Sequence, residues 1–571
     1  METPNKLAAA APEARQDVSG WRVRDDATAA RHYRASGQWS DRTIWAAACE
    51  AAAEQPERIA VIDGDHAYTT RQVVGAARSL AASLHAMGLR PGDVISYQLP
   101  NWWECAVINL AACAAGLVCN PIVPIYREAE VRYILRDARS RVFFVPQRFR
   151  NFDYAAMATG LRGELGPLAH IVVVRPQTDE IDGLRFDALL QPAPSDAWHA
   201  AAQHADAVKL LLYTSGTTGS PKGVLHSHNT LMSEVRAVMQ CWRVDRHDVV
   251  IMPSPVTHVT GYLYGLEMPF VARAQVVLME RWDAKEAADL VDRHRATLTV
   301  GATPFLAELA QQAAARGGLP SLRVFASGGA PVPPELVRRA RRAFGHCKVF
   351  RVYGSSEAPT ITLGRVEGDG DEQGATTDGR IVNNEVRIGD PGTGAALAEG
   401  CEGEVLVRGP ELMLGYTQWS HTLEAFDADG YFRTGDLAFV DTDGFMTISG
   451  RKKDLIIRGG ENISAKEIED VLHAHASIAE AAIVAMPHPR LGEGVCAFVI
   501  PAADHLVDLE HVTALLAAAG LARQKYPERV ELVRELPRTA SGKVQKNLLR
   551  DRIRATLAGE AATAPATPSQ D

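Results

Sequence analysis

The segment 213–224 constrains this chain more than any other, because it places a run rich in glycine and hydroxyl groups, with one lysine, directly after an apolar strand. The apolar residues are Leu210, Leu211 and Leu212. Glycines let backbone N–H groups converge on an anion, and hydroxyl and ammonium groups add further donors. The segment therefore predicts a phosphate-binding loop that comprises Thr214, Ser215, Gly216, Thr217, Thr218, Gly219 and Lys222.

This loop differs from the common P-loop, in which Gly precedes the lysine and Ser or Thr follows it. Here Pro221 precedes Lys222 and Gly223 follows it. A different nucleotide-binding chemistry is therefore indicated. The alternative is an ordinary surface turn rich in Ser, Thr and Gly, which would explain half of the run but not the agreement at all of its positions.

The run resembles the signature of the AMP-forming adenylating enzymes, the superfamily of acyl-CoA synthetases, luciferases and peptide-synthetase adenylation domains. Further signatures of this family follow in their usual order, so the resemblance spans nearly the whole chain. They are Gly-Gly-Ala at 328–330, Tyr-Gly-Ser-Ser-Glu at 353–357, Tyr-Phe-Arg-Thr-Gly-Asp at 431–436, Gly-Arg-Lys-Lys-Asp at 450–454 and Pro-Arg-Thr-Ala-Ser-Gly-Lys at 537–543.

Alternating strand and helix patterns predict an α/β fold with helix-covered parallel sheets. In residues 58–99 an apolar strand at 59–62 precedes a helix that begins near Thr70 and ends before Gly88, and a strand at 94–97 follows. Short strands between 403 and 448 predict a hairpin-rich, barrel-like subdomain. The expected divisions are a partly flexible extension at 1–40, a large nucleotide- and acyl-binding domain at 41–449, a hinge at 450–454, a small mobile α+β domain at 455–558 and a disordered tail at 559–571.

The composition excludes several classes of protein. A net charge of −9, from 60 basic and 69 acidic residues, gives no basic surface for nucleic acid or an anionic membrane. The eight cysteines are scattered without a Cys-x-x-Cys pair, so neither a structural zinc nor a disulfide framework is expected. No secretory signal and no run of ~18 apolar residues is evident. The expected location is the cytoplasm.

The resemblance implies roles for individual residues. Lys543 matches the catalytic lysine that faces the α-phosphate and the carboxylate, and Glu357 matches the ligand of Mg²⁺. Asp436 matches the residue that accepts hydrogen bonds from the ribose hydroxyls, with Arg451 also holding the nucleotide. The catalytic set is Lys543, Thr214, Glu357 and His258, and the other nucleotide contacts outside the phosphate loop are Gly328, Gly329, Ala330, Tyr353, Gly354, Ser355 and Ser356, with Tyr353 stacking on adenine.

Two positions matter for the second half of the reaction. Lys453 matches the hinge about which the small domain changes orientation, although Lys452 and Lys453 could equally be a solvated basic pair. Gly459 and Gly460 match the segment that replaces Lys543 in the second orientation and lines a tunnel for pantetheine. His258 matches the aromatic position that gates the carboxylate, and a core histidine is the alternative.

The predicted function is an ATP-dependent acyl-CoA ligase that uses ATP, Mg²⁺ and CoA. Segments 98–104, 120–127 and 149–154 are similar to cyclohexanecarboxylate- and medium-chain-acid CoA ligases, and the surroundings of His258 are apolar and lack the Asp that amino-acid-activating relatives carry. A medium-chain, alicyclic or aromatic carboxylate is therefore expected. The alternatives are an enzyme that loads a carrier-protein pantetheine, a luciferase-like oxygenase and a non-catalytic nucleotide-binding module. The oligomeric state is open, with a homodimer as one option.

Overall fold

The computed structural model describes residues 13–191, 204–214, 221–459, 461–503, 505–538 and 543–563. The α/β unit predicted from 58–99 is confirmed. A strand at Ile59–Asp63 precedes the helix Thr70–Ala86, and a strand at Val94–Tyr97 follows. Thr69 caps the helix, since its hydroxyl accepts from the Gln72 N–H while Gln72 Oε1 accepts from the Thr69 N–H. Gly88 lies just past the end at φ 89°, a conformation that favours glycine.

Two large sheets form the framework of the first 416 residues. The first has eight strands, of which the first six pair in parallel, and its last two pairings are antiparallel. The second has seven strands and is parallel except for one edge strand. In spatial order the first contains Leu184–Arg185, His170–Val174, Ser140–Pro146, Val94–Tyr97, Val118–Pro121, Val208–Thr214, Lys222–Ser227 and Gly415–Tyr416. The second contains Lys348–Val352, Val324–Gly328, Leu298–Gly301, Val249–Met252, Gln275–Leu278, Ile59–Asp63 and His66–Thr69.

Helices cover both faces of these sheets. The helices Thr70–Ala86, Trp103–Ala115 and His228–Trp242 lie between the two sheets and share one core with both. Glu128–Asp137 and Tyr154–Arg162 cover the outer face of the first sheet. Ala284–His294, Thr303–Arg316 and Pro334–Phe344 cover the outer face of the second. The other helices of the large domain are Ala27–Ala35, Ile44–Glu54, Val259–Gly261, Met268–Ala272, Asp371–Thr376 and Trp419–Ala425, with a π-helix at Tyr262–Glu267 and a 3₁₀ turn at Asp187–Leu190.

A pair of neighbouring residues shows why the sheets must be covered on both faces. Val250 packs in the core between the sheets, and the next residue, Ile251, packs in the outer core. Successive strand side chains point to opposite faces, so a continuous apolar strand is stable only between two helix layers. The predicted covered parallel sheets are therefore confirmed.

The hairpin-rich region forms a four-stranded antiparallel sheet. Its strands are Glu385–Gly389, Gly403–Arg408, Phe432–Val440 and Met446–Arg451. Three two-stranded ribbons complete the large domain, at Ala14–Gln16 with Arg22–Arg24, Arg148–Phe149 with Phe152–Asp153, and Thr362–Leu363 with Arg380–Ile381. The first ribbon lies within the predicted N-terminal extension, where Trp21 and Val23 are buried against the eight-stranded sheet.

The last part of the chain has its own sheet and cores, as the predicted small α+β domain requires. Its strands are Ile456–Arg458, Glu461–Ile463, Ile478–His488, Gly492–Pro501 and Arg529–Leu532. Its helices are Ala465–His473, Leu509–Ala518 and Lys546–Thr563, with 3₁₀ turns at Lys452–Asp454 and Arg523–Lys525. The final helix extends beyond the predicted domain end at 558 and continues to Thr563. Leu549 and Ile553 pack its first half into the core of the small domain.

None of the helices in the described ranges has the length and apolar character that crossing a membrane requires.

Candidate active site

A cavity of about 790 Å³ gathers most of the residues that the sequence analysis selected. The described residues of the phosphate-loop region and the glycine, tyrosine and aspartate signatures meet there with a lysine from the small domain. The predicted residues that line it are Thr214, Lys222, His258, Gly328, Gly329, Tyr353, Gly354, Ser355, Ser356, Glu357, Asp436, Arg451, Lys453 and Lys543.

Some predicted residues lie elsewhere. Ala330 follows Gly329 but does not line the cavity. Gly459 also lies outside the lining, in the turn between Ile456–Arg458 and Glu461–Ile463, where its N–H donates to the Leu491 carbonyl at 2.9 Å. Five residues of the phosphate loop and one of the tunnel pair are outside the described residues: Ser215, Gly216, Thr217, Thr218, Gly219 and Gly460.

The two ends of the phosphate loop are held together by an antiparallel strand pair. Thr214 ends one strand, Lys222 begins the next, and the two residues face each other in the register. The strand that begins at Lys222 also pairs with Gly415–Tyr416. The two described ends of the predicted phosphate loop, Thr214 and Lys222, therefore lie side by side at the cavity.

Glycines allow close backbone approaches along the cavity wall. A Cβ on Gly328 would lie 2.4 Å from the Val352 carbonyl oxygen, and one on Gly354 would lie 2.0 Å from the Pro359 carbonyl oxygen. Gly328 ends the strand Val324–Gly328 in the parallel sheet. A side chain at Gly328 or Gly354 would push the backbone apart, so these positions require glycine for packing as well as for access to a ligand.

Asp436 is held by a hydroxyl donor and a cation. Its Oδ2 accepts from the Tyr353 hydroxyl at 2.8 Å, and its Oδ1 pairs with Arg451 Nε at 2.8 Å. Asp436 and Arg451 face each other in the pairing of neighbouring strands. The side chain of Asp436 is buried, and an ionised carboxylate in such a place requires a cation and hydrogen-bond donors.

Glu357 contacts a residue that the sequence analysis missed. Glu357 Oε1 accepts from the Tyr416 hydroxyl at 2.8 Å, and Lys222 Nζ lies 5.2 Å from the centre of the same tyrosine ring. Tyr416 reaches this place because its short strand pairs with the strand that begins at Lys222. That pairing joins residues almost 200 positions apart, and no local pattern in the sequence indicates it.

His226 is a second residue whose position the sequence did not reveal. Its Nε2 lies 2.7 Å from the Ser356 carbonyl oxygen, and its Nδ1 lies 3.0 Å from Thr230 Oγ1. Burial lowers the pKa of His226 to about 4, so the ring is neutral at pH 7. The neutral imidazole holds the backbone that carries Ser355, Ser356 and Glu357.

The pKa values of Lys543 and His258 are both lowered, and Lys543 contributes to the shift of His258. Burial, with Arg451 as a further contribution, lowers the pKa of Lys543 to about 8, while Asp436 and Glu357 oppose that shift. Burial and the nearby Lys543 lower the pKa of His258 to about 4. At pH 7 Lys543 therefore carries a proton and His258 is neutral. His258 lines the cavity, and its Nδ1 accepts from the Thr260 N–H at 3.4 Å.

The predicted hinge region connects the two domains by several contacts. Lys452 Nζ lies 3.3 Å from Glu404 Oε2, which also accepts from Arg433. Ser464 Oγ donates to the Ser449 carbonyl at 2.6 Å. These contacts hold the small domain in the orientation that puts Lys543 beside Gly329, where a Cβ on the glycine would lie 4.0 Å from Lys543 Cε.

The other end of the cavity is largely apolar. The segments 259–264 and 300–305 contribute no charged residue to it, and Leu263, Val300, Phe305 and Val352 give it hydrocarbon surface. Tyr264 and Thr360 also line the cavity. This end can therefore hold an uncharged organic group next to the charged end.

Comparisons with known proteins agree with this geometry. Residues 49–417 match the model of the AMP-binding enzyme family, and residues 467–543 match that of the AMP-binding enzyme C-terminal domain. The chain is 36% identical over 526 residues to a medium-chain fatty-acid–CoA ligase of Escherichia coli (strain K12), covering 91% of this chain and 92% of that protein. It is 33% identical over 559 residues to the pyochelin synthase PchD of Pseudomonas aeruginosa, covering 97% and 99%.

A solved structure gives the same result for the fold. The ATP-bound MatB of Rhodopseudomonas palustris superimposes with a TM-score of 0.81 at 29% identity, covering 90% of this chain and 99% of that one. Both the large and the small domain are therefore those of adenylate-forming enzymes, as the sequence predicts.

Proposed function

The chain belongs to the AMP-binding enzyme family, and on that premise we propose that it is an ATP-dependent acyl-CoA ligase. In the first step a carboxylate oxygen attacks the α-phosphorus of ATP, the bond to the β-phosphate oxygen breaks, and pyrophosphate leaves. In the second step the thiol of CoA attacks the acyl carbon and AMP leaves. The observation that carries this proposal is the position of Lys543, which enters from the small domain a cavity that already contains Thr214, Lys222 and Asp436.

The first step brings two anions together, so the site needs cations and hydrogen-bond donors at the place where charge concentrates. We assign the ammonium group of Lys543 to the bridging oxygen between the carboxylate and the α-phosphate. Lys222, the Thr214 hydroxyl and the predicted loop 215–220 hold the other phosphate oxygens. Burial of Lys543 strengthens this attraction, because a charge interacts more strongly when water is excluded.

The rest of the nucleotide is assigned to the wall that faces Lys543. We assign Asp436 to accept hydrogen bonds from the ribose hydroxyls, with Arg451 Nε paired to its Oδ1. Tyr353 and the flat backbone at Gly328 and Gly329 contact adenine. The absence of bulk at these glycines supports the assignment, since a planar base can lie directly against the main chain.

The donor groups at the phosphate end fit a magnesium ion. Mg²⁺ prefers oxygen ligands and binds through one or two carboxylates together with substrate phosphates. Glu357 supplies a carboxylate whose Oε1 is oriented by the Tyr416 hydroxyl, and hydroxyl groups of Ser356 and Thr214 line the same cavity. Glu357 would hold the ion. A bound Mg²⁺ neutralises phosphate charge and makes pyrophosphate a better leaving group.

The second step requires a different orientation of the small domain. We assign the hinge to Lys453 within 450–454, between a large domain at 41–449 and a mobile domain at 455–558. Rotation there withdraws Lys543 and brings Gly459 and Gly460 to the cavity, where they line a passage for pantetheine. The neutral ring of His258 gates the carboxylate between the steps. The reaction fits a cytoplasmic enzyme that acts as a monomer or a homodimer.

The substrate is assigned as a medium-chain, alicyclic or aromatic monocarboxylic acid. The apolar end of the cavity supports an uncharged acyl group, and the likeness to a medium-chain fatty-acid–CoA ligase supports CoA as acceptor. The likeness to PchD keeps transfer to a carrier-protein pantetheine as the second candidate.

The test measures pyrophosphate release with ATP and Mg²⁺ across a panel of acids that includes octanoate, cyclohexanecarboxylate and benzoate. Each acid is assayed alone, with CoA, and with a phosphopantetheinylated carrier protein. We expect CoA to raise turnover and to yield the acyl-CoA product. Turnover with the carrier protein alone would favour the second candidate, and absence of stimulation by any acid would contradict both.

A further inference from the structure

Two glutamates are buried together behind the acyl end of the cavity. Glu234 lies on the helix His228–Trp242 with none of its surface exposed, and Glu411 lies after the strand Gly403–Arg408 with 1% exposed. Among the ion pairs of the described ranges, none includes either residue. Buried carboxyl groups are costly unless they are hydrogen-bonded or paired, so this pair needs a physical explanation.

Each carboxyl group accepts hydrogen bonds from uncharged donors. Glu234 Oε1 accepts from the Tyr264 hydroxyl at 2.5 Å and from the Thr360 hydroxyl at 2.5 Å. Glu411 Oε1 accepts from Asn383 Nδ2 at 2.5 Å, and its Oε2 accepts from Asn384 Nδ2 at 3.3 Å. These donors account for Glu234 Oε1 and for both oxygens of Glu411.

Among the described residues, the remaining oxygen, Glu234 Oε2, has no hydrogen-bond donor, and the carboxyl groups of Glu234 and Glu411 interact directly. Two carboxylates at hydrogen-bond distance cannot both be ionised, so one proton lies between them. Burial, with Glu234 as the further cause, raises the pKa of Glu411 well above its ordinary value. Burial raises the pKa of Glu234 as well, so the two carboxyl groups share a proton, while Glu234 Oε1 accepts from the two hydroxyl groups.

This arrangement determines where the hydroxyl groups of Tyr264 and Thr360 donate their protons. Tyr264 and Thr360 each have a single hydroxyl proton, and Glu234 Oε1 receives both. Neither proton remains for the 2.9 Å contact between the two hydroxyl oxygens or for a group in the cavity. Both residues line the wall of the cavity, and neither has a hydroxyl proton left to donate to a group there.

We propose that the Glu234–Glu411 pair determines acyl specificity by making this wall a hydrogen-bond acceptor, so that the site prefers an acyl group bearing a hydroxyl or amino donor to a matched group bearing a carbonyl or second carboxylate. The inference rests on the proposed function, because it assigns the apolar end of the cavity to the acyl group. A carbonyl beside Tyr264 and Thr360 would receive no hydrogen bond from either hydroxyl group and would lose its hydrogen bonds to water. Discrimination between such matched acids is on the order of 10-fold or more.

The experiment compares hydroxy and oxo acids of one carbon skeleton. The 3- and 4-hydroxycyclohexanecarboxylates and their oxo counterparts are assayed with unsubstituted cyclohexanecarboxylate, and kcat/KM is measured by pyrophosphate exchange. We expect the hydroxy acid to exceed its oxo counterpart at one position at least by about 10-fold. Equal values at both positions overturn the inference, while turnover of the unsubstituted acid tests the proposed function separately.

A matched pair of variants tests the role of each glutamate. Glu411→Gln keeps a neutral donor to Glu234 and should retain the preference. Glu234→Gln replaces the acceptor with an amide that can donate to the Tyr264 or Thr360 oxygen, which frees a hydroxyl proton for the cavity. The ratio of kcat/KM for the hydroxy acid to kcat/KM for the oxo acid should then be close to one. The same ratio in both variants, or its loss in Glu411→Gln alone, overturns the inference.

A second variant and a second measurement cover the case in which a buried substitution disturbs folding. Thr360→Val removes one acceptor oxygen at constant shape and should lower the ratio, whereas Thr360→Ser should keep it. The rise in melting temperature that each acid produces with a nonhydrolysable ATP analogue compares the binding of hydroxy and oxo acids without turnover. Equal rises for hydroxy and oxo acids in the wild-type protein overturn the inference even if no acid is activated.

Discussion

The two ends of the cavity are built in opposite ways. The nucleotide end contains the charged groups, including Lys222, Glu357, Asp436 and Lys543. Each of them lies in a short motif that can be recognised in the sequence. The acyl end contains apolar side chains and a few hydroxyl-bearing residues that come from separate segments of the chain. Binding of phosphate needs specific donors at fixed spacing, whereas an acyl group needs only a shape with few polar groups.

This difference predicts that substitutions at the nucleotide end reduce the rate with every acid, while those at the acyl end change the ranking of acids. Charge interactions in a buried site contribute more to the transition state than a few hydrocarbon contacts do. Four measurements test this division, and the largest effect is expected at the lysine that enters from the small domain.

Lys543→Ala removes the cation that we assign to the reacting oxygen. We expect the rate of adenylate formation to fall at least on the order of 10²-fold with every acid, as for loss of a single oxyanion donor. Pyrophosphate exchange measures this step. Lys285→Ala, at an exposed lysine, is the matched control and should leave the rate unchanged.

The same variant should form thioester from preformed acyl-AMP and CoA at the wild-type rate, because that step uses the other orientation of the small domain. Comparable loss in both half-reactions would contradict the assignment of Lys543 to the first step alone. A loss of adenylation rate with only some of the acids would contradict the proposed difference between the nucleotide end and the acyl end.

Asp436→Asn keeps the shape of the side chain but removes one of its acceptor sites and its charge. Loss of hydrogen bonds to a buried carboxylate costs about 2 kcal/mol, so kcat/KM for ATP should fall about 30-fold. The KM for the acid should stay constant. Asp443→Ala, at an exposed turn of the same antiparallel sheet, serves as control, and an equal effect of both variants would contradict the role of Asp436.

The pH dependence of adenylation should report the ionisation of Lys543. Its pKa is lowered to about 8, so the charged form is lost as the pH rises through that value and the rate should fall. At pH 9 we expect a value of kcat/KM about 10-fold below the plateau at pH 7, since each pH unit above the pKa removes a factor of ten. Measurement requires the exchange reaction in buffers of constant ionic strength.

Lys543→Arg provides the control for this profile, because a guanidinium group keeps its charge throughout the range. Its overall rate should be lower, but the decline above pH 8 should disappear. A wild-type profile that is flat to pH 9.5, or an unchanged decline in the Arg variant, would show that another group titrates.

Leu263→Phe narrows the acyl end and should give the smallest change. Extra bulk in a packed pocket costs on the order of 1 kcal/mol, so kcat/KM for longer acids should fall about fivefold relative to shorter ones. The KM for ATP should not change. Leu263→Met, of similar volume, should leave the ranking of acids as it is, and a uniform loss with all acids in the Phe variant would contradict the division between the ends.

The predictability of the site follows the same division. The cavity lining includes fourteen of the residues selected from the sequence, from Thr214 to Lys543, because glycines and charged groups at these positions form recognisable runs. Ala330 was predicted to contact the nucleotide only because it belongs to the Gly-Gly-Ala motif, and it does not line the cavity. Tyr416 and His226 were missed, since a tyrosine in a short strand and a histidine in a buried one have no distinguishing pattern.

The fold shows how far local patterns extend. The helix Thr70–Ala86 has its capping residues, apolar stripe and terminal glycine within 20 positions, and each of these is visible in the chain. The end of the final helix was less predictable. Its length depends on the anchoring of Leu549 and Ile553 in a core that strands from other segments supply.

The amino-acid order by itself therefore determines the alternation of strands and helices, the phosphate-binding run and the charged residues of the nucleotide end, because these depend on spacing along one segment. Tertiary structure alone decides the contact of Tyr416 with Glu357 and the burial of Glu234 against Glu411, which join segments far apart in the chain. Burial then sets the charge of Lys543, His258 and the glutamate pair. Ionisation depends on the solvent and the charges around a group, and those are defined only when the chain has folded.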